Sequence, residues 1–169
     1  GAWLPEFEFM HHAPTRAWRE LMASCNYHIA VSGGCFPAQP YAATHVPFLA
    51  WVATAWDGDR RQRVRTFPYS RRLLDAAVVH PIGARLERKI LRSGRILALS
   101  EATKRDLDTV AGRAVVTGIL PTPVDTQLFV PAPDRVVRGR IGFAGRLSDA
   151  RKNVGLFLET LARCRVAGL

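Results

Sequence analysis

The sequence predicts an α/β fold built on a parallel sheet. Short apolar runs end in Gly, Ser or Thr, segments of helical period lie between them, and the two kinds alternate along the 169 residues. Alternation of this kind implies crossover connections, and crossovers produce parallel strands.

In chain order, residues 1–13 are aromatic-rich (Trp3, Phe7, Phe9) without a period. His11 and His12 stand beside each other with no further ligand at metal spacing, so a polar loop is expected there. Pro14 suits a first helical position, and Trp18, Leu21, Met22 and Cys25 follow at i, i+3, i+4 and i+7. Residues 27–31 form a strand that closes on Ser32-Gly33-Gly34, a turn signal without a phosphate-binding fingerprint. A short helix over 41–45 is ended by Pro47, and residues 48–54 are the next strand. The run 59–67 is charged and lacks an apolar period, which predicts a solvated loop. Helices are expected over 69–79 and 82–91, separated by His80-Pro81, the second with Leu86, Ile90 and Leu91 on one face and a stop at Ser93-Gly94. Residues 95–99 are a strand. Ser100 sits at the N-cap of a helix over 101–110, which Gly112 terminates, and 115–119 is a last short strand.

The most informative stretch comes near the end. Residues 141–145 (Ile-Gly-Phe-Ala-Gly) predict a buried strand, and Val154, Phe157, Leu158 and Leu161 predict a helix over 154–167. Gly145 lets a ligand approach the backbone where the strand would end. Arg146 follows it, and Lys152 stands at the mouth of the helix, where unpaired N–H groups already favour an anion. Ser148 or Asp149 could serve as a cap. Two cations at that end oppose the helix dipole, and a bound phosphate would reverse the sign.

Composition bounds the function more loosely. Lys and Arg total 24 against 14 acids, a formal charge of +10, and only Lys89, Lys104 and Lys152 are lysine. The basic residues are scattered, with no aromatic-interleaved run, helix-turn-helix or zinc pattern, so nucleic acid is not the expected partner. An anionic membrane surface or a phosphorylated substrate suits the charge as well, and the run from Arg60 to Arg65 is where such a surface would be met. Cys25, Cys35 and Cys164 lack metal-ligand spacing and are expected to be buried, reduced thiols. No stretch is long and apolar enough to span a bilayer and no signal peptide is visible, so a cytoplasmic location is expected, with peripheral contact to the inner face of the membrane.

Gly145-Arg146, Lys152-Asn153 and the helix after them resemble the donor-phosphate loop of the family 4 retaining glycosyltransferases, enzymes of GT-B fold. Two further stretches, in the same order as in that family, carry the resemblance. Residues 96–107 (ILALSEATKRDL) look like its penultimate first-domain strand and helix. Residues 121–131 look like its interdomain linker, with Val124, Asp125, Thr126 and Phe129 matching and Pro123 in place of the commoner Gly. The resemblance implies a Rossmann-like sheet with flanking helices in each of two domains. Residues 1–120 would be an acceptor domain incomplete at its start, 121–137 the linker, and 138–169 the first strand and helix of a truncated nucleotide-sugar domain. The chain reads as an interior fragment, inactive alone.

The implied reaction transfers a sugar from a nucleotide-diphosphate donor to a cell-envelope glycan, lipid or polysaccharide acceptor, retaining configuration, with neither metal nor cofactor required. Gly145, Arg146, Lys152 and Asn153 would bind the donor diphosphate. Thr54, Trp56, Asp57 and Ser100 would line the cleft, Thr54 matching a family Thr-x-His strand end and Trp56 standing where the His would be. No catalytic residue is assigned, because the family's paired glutamates would lie beyond Leu169. The competing classes are a basic nucleic-acid-binding α/β module and a non-catalytic interaction domain.

Overall fold

In the computed structural model, residues 5–137, 139–147 and 152–168 are described. The chain divides into two compact units, Gly1–Pro123 and Val124–Leu169.

The first unit is α/β, built on a four-stranded parallel sheet in the order β1-β2-β3-β4. The strands are β1 (Ile29–Ser32), β2 (Leu49–Val52), β3 (Arg95–Ala98) and β4 (Val116–Ile119). Register aligns Ala30 with Ala50 and Ile96, and Val31 with Trp51 and Leu97. The helices are α1 (Arg16–Ala23), α2 (Gln39–Thr44), α3 (Trp56–Val64), α4 (Tyr69–Leu74), α5 (His80–Ser93) and α6 (Glu101–Ala111).

The sheet advances in one direction, an order in which crossovers of the usual right hand set the connecting helices on one face. Burial follows that geometry. Ala30, Ala50, Val52, Ile96 and Ala98 are buried against the helices together with Val79, Ile90, Leu91 and Leu107. On the other face Ile29 and Val31 are 60% and 63% exposed, and Leu49, Trp51 and Leu97 are half-buried.

Where caps are local, the elements fall as their residues dictate. Ser100 Oγ accepts from Thr103 N–H at 3.2 Å to open α6, and Gly112, at φ 70°, closes it in the left-handed region that favours glycine. Thr15 Oγ1 accepts from Trp18 N–H at 3.3 Å, so α1 starts at Arg16 rather than at Pro14.

Several expectations are corrected. Residues 1–13 are not merely a polar loop, because Pro5–His12 forms 3-10 turns kinked at Phe7, and Phe9 is buried in the core against Phe36. The charged run 59–67 is not a loop up to residue 64: it continues α3, whose Asp57 and Asp59 stand four residues before Arg61 and Arg63 and pair with them. No break separates helices at His80-Pro81. A π-helical segment, Asp75–Val79, joins α4 to α5, and its wider turn accommodates a proline that would otherwise crowd the preceding carbonyls. Of the three cysteines only Cys35 is buried, whereas Cys25 lies exposed beyond the end of α1 and Cys164 is intermediate.

The second unit holds a short 3-10 turn, Pro133–Arg135, and helix α7 (Val154–Val166). The strand expected over 141–145 does not form. A strand needs a neighbour to complete its ladder, and among the described residues this unit offers none.

Candidate functional site

Ligands of open α/β sheets bind beyond the carboxyl ends of the strands, at the point where strand order reverses. In the first unit that edge is formed by residues 32–34, 53–55 and 99–100. The order β1-β2-β3-β4 does not reverse, so the described sheet has no such crevice. Thr54 is exposed on this edge, its N–H donating to Gly33 O at 2.8 Å. Ser100 is half-buried and occupied as the cap of α6, while Thr103 Oγ1 donates to Ala53 O at 3.0 Å and ties α6 to the end of β2.

Trp56 and Asp57 behave differently from the cleft-lining role expected of them. Trp56 is 4% exposed; its ring packs edge-on against Phe36 and stacks on His80, and its indole N–H donates to Glu8. Gly83 of α5 lies so close beneath it that a Cβ there would overlap the indole. The ring therefore belongs to the core and offers no stacking face to a sugar. Asp57 receives His80 Nε2 at 2.6 Å on one carboxylate oxygen and Arg61 Nη2 at 2.5 Å on the other.

The first turn of α3 is itself an anion site, and the protein fills it from within. Ala55 supplies no side-chain cap. Fully buried Glu87, from α5, accepts from Trp56 N–H at 2.7 Å and from Asp57 N–H at 3.3 Å. Burial pushes its carboxyl up, the two amides pull it back, the Asp57 carboxylate pushes it up again, and the result is about 7. Burial and the nearby Glu87 push the Cys35 thiol up as well, which keeps it protonated. Together with His80 and Asp57, Glu87 makes a polar cluster at the start of α3. Sequence reading missed it, although the signal was present: Glu87 interrupts the apolar stripe of Leu86, Ile90 and Leu91 on the same helix face.

In the second unit the residues predicted to hold the donor diphosphate are all exposed. Phe143 packs its ring on Phe157 of α7 at 5.3 Å, which carries residues 143–145 over the start of that helix. Gly145 thereby comes beside Lys152, a Cβ at Gly145 lying 3.9 Å from Lys152 Cδ. Asn153 is the N-cap, in the left-handed region at φ 43°, and its side chain accepts from Leu156 N–H at 3.4 Å. Gly145, Lys152 and Asn153 thus meet at the mouth of α7, and Arg146 follows Gly145 directly. The first turn of α7 contains no acid to answer these cations. Ser148 and Asp149, considered above as caps, lie outside the described residues. Among the described residues no group of His, Cys, Asp and Glu is arranged to hold a metal ion. Nor is any helix there long and apolar enough to cross a membrane.

Comparison with known proteins gave no match to a family profile, to a curated protein or to a solved structure.

Proposed function

We propose that this chain is part of a family 4 retaining glycosyltransferase of GT-B architecture, with residues 1–120 on the acceptor side, 121–137 as linker and 138–169 opening the donor domain. The observation that carries the reading is the meeting of Gly145, Lys152 and Asn153 at the mouth of α7, whose first turn holds no acid, with Arg146 next to Gly145 in the chain. It is supported by the resemblance of residues 96–107 and 121–131 to that family.

In this reading a nucleotide-diphosphate sugar lays its diphosphate over the first turn of α7. Glycine at 145 leaves the backbone open to phosphate oxygens, Arg146 supplies a planar fork and Lys152 a mobile point charge. As the glycosidic bond breaks, negative charge grows on the departing diphosphate. Cations and N–H groups set there beforehand stabilise it more in the transition state than in the ground state. The acceptor is a glycan or lipid-linked glycan of the cell envelope, met on the cytoplasmic side.

Transfer assays on the full-length protein test the proposal. Arg146→Ala and Lys152→Ala are each expected to lower kcat/KM by roughly ten- to several-hundred-fold, one charge-assisted contact contributing about 1.5–3 kcal/mol. Arg146→Lys falls between, because the fork is lost but the charge is kept. Unchanged turnover in both alanine variants would refute the clasp.

A further inference from the structure

We propose that the outward face of α5 docks the first unit onto an anionic phospholipid surface. Arg85, Arg88, Lys89 and Arg92 are all exposed and line a shallow hollow of about 370 Å³ on this helix. Their spacing, i, i+3, i+4 and i+7, sets them on one side of the helix. Gly83, Glu87, Ile90 and Leu91 are buried on the opposite side.

None of the four makes an ion pair among the described residues. Arg88 and Arg92 each give Nε to a carbonyl at the C-terminal end of α6, Val110 O at 3.1 Å and Ala111 O at 2.8 Å, which steadies the stems. Among the described residues Arg85 and Lys89 pair with no acid. A layer of phosphodiester headgroups supplies the missing counter-charge.

One further feature favours lipid over nucleic acid. Val78 and Ile82, 37% and 42% exposed, continue the same helical rod immediately before Arg85. Apolar side chains next to cations suit the boundary between headgroups and acyl chains, where each kind finds its own solvent. A phosphate backbone in water would leave the apolar pair unused. The docking face is also distinct from the arginines of α3, which the fold has already neutralised.

The test is co-sedimentation of the 169-residue chain with vesicles of phosphatidylcholine alone and of phosphatidylcholine with roughly 30% phosphatidylglycerol, where one basic residue at the surface changes partitioning about five-fold. Binding is expected only with the anionic lipid. Arg85→Gln with Lys89→Gln should lower it roughly 25-fold, two residues at about five-fold each. Ile82→Ser should lower it by a few fold. The charge-matched pair Arg16→Gln with Arg19→Gln, on α1, should change it little. Because all of these side chains are exposed, circular dichroism melts should coincide, and salt titration of the unmutated chain gives a readout that needs no variant. Equal binding to neutral vesicles, equal loss in the α1 pair, or no vesicle binding at all would overturn the proposal. So would tighter, Arg85/Lys89-dependent binding of a single-stranded RNA seen by anisotropy, which would assign the face to nucleic acid.

Discussion

Helix α3 carries Arg60, Arg61 and Arg63, and α5 carries Arg85, Arg88, Lys89 and Arg92, yet their charges meet opposite fates. Each arginine of α3 is answered. Arg60 is 1% exposed, its Nε donating to Asp75 Oδ1 at 2.8 Å, with its guanidinium near the rings of Trp56 and Phe67. Arg61 pairs with Asp57, and Arg63 with Asp59 and Glu8. On α5 the acid is Glu87, and it turns inward to cap α3 instead of meeting its own helix's cations. The α3 run looked in the sequence like the surface for an anionic partner; in the structure Arg60 is paired inside the fold, Arg61 and Arg63 are paired with acids nearer the surface, and Arg65, beyond the end of the helix, is exposed. What matters is where the acids stand, at i, i+4 or across a tertiary contact, and not how many arginines share a segment.

The largest expected effect lies at the buried end of this comparison. Arg60→Gln leaves Asp75 buried without its cation, and equilibrium urea denaturation should show a loss of about 3–5 kcal/mol. A loss under ~1 kcal/mol would mean that solvent replaces the guanidinium and that α3 is no more committed to the interior than α5.

Glu87, which joins the two helices, makes stability depend on pH. Its carboxyl is raised from 4.5 to about 7, so the folded state holds this proton more tightly than the unfolded chain. The contribution is therefore full below pH 4.5 and lost as pH rises toward about 7, on the order of 3 kcal/mol at 1.36 kcal/mol per unit. Glu87→Gln should flatten that slope. Parallel denaturation series of the two proteins between pH 4 and 8, subtracted from one another, isolate it.

Gly83→Ala probes the seam between the helices. Forcing a methyl into the Trp56 indole should cost about 1–3 kcal/mol and alter near-ultraviolet circular dichroism, since the indole must shift. A neutral result would show that the seam can open.

The smallest effects are expected at the exposed cations, and they should differ in sign. Arg61→Gln removes an exposed i, i+4 pair and should lower stability by ~0.5 kcal/mol or less. Arg85→Gln relieves repulsion with Lys89 four residues on and should raise stability by a few tenths, ~0.2–0.5 kcal/mol. Calorimetric melting of the two single variants distinguishes these cases, and matching signs would erase the contrast.

How much of this could be read in advance depended on distance along the chain. The positions of β1, β2, β3 and β4 were legible because each is a short apolar run with its own stop. Helix α6 was legible to its ends, since Ser100 and Gly112 act within one turn. In the second unit Gly145 lies beside Lys152, and the ring contact next to them, Phe143 on Phe157, carried no signal at the level of spacing. Trp56 read as a strand-end residue because the glycine beneath it lies 27 positions away.

The sequence by itself determined the alternation of strand and helix, the caps and stops, and the excess of positive charge. These follow from dihedral preferences, side-chain period and hydrogen bonds that close within a few residues. Tertiary structure alone decided that Arg60 meets Asp75 and Arg63 meets Glu8, that Glu87 rather than a ligand occupies the start of α3, and that one face of the sheet stays open. It also decided that residues 141–145 have no ladder to join. Each of those outcomes depends on a partner distant in the chain, and neither burial nor pairing exists for a residue until that partner arrives.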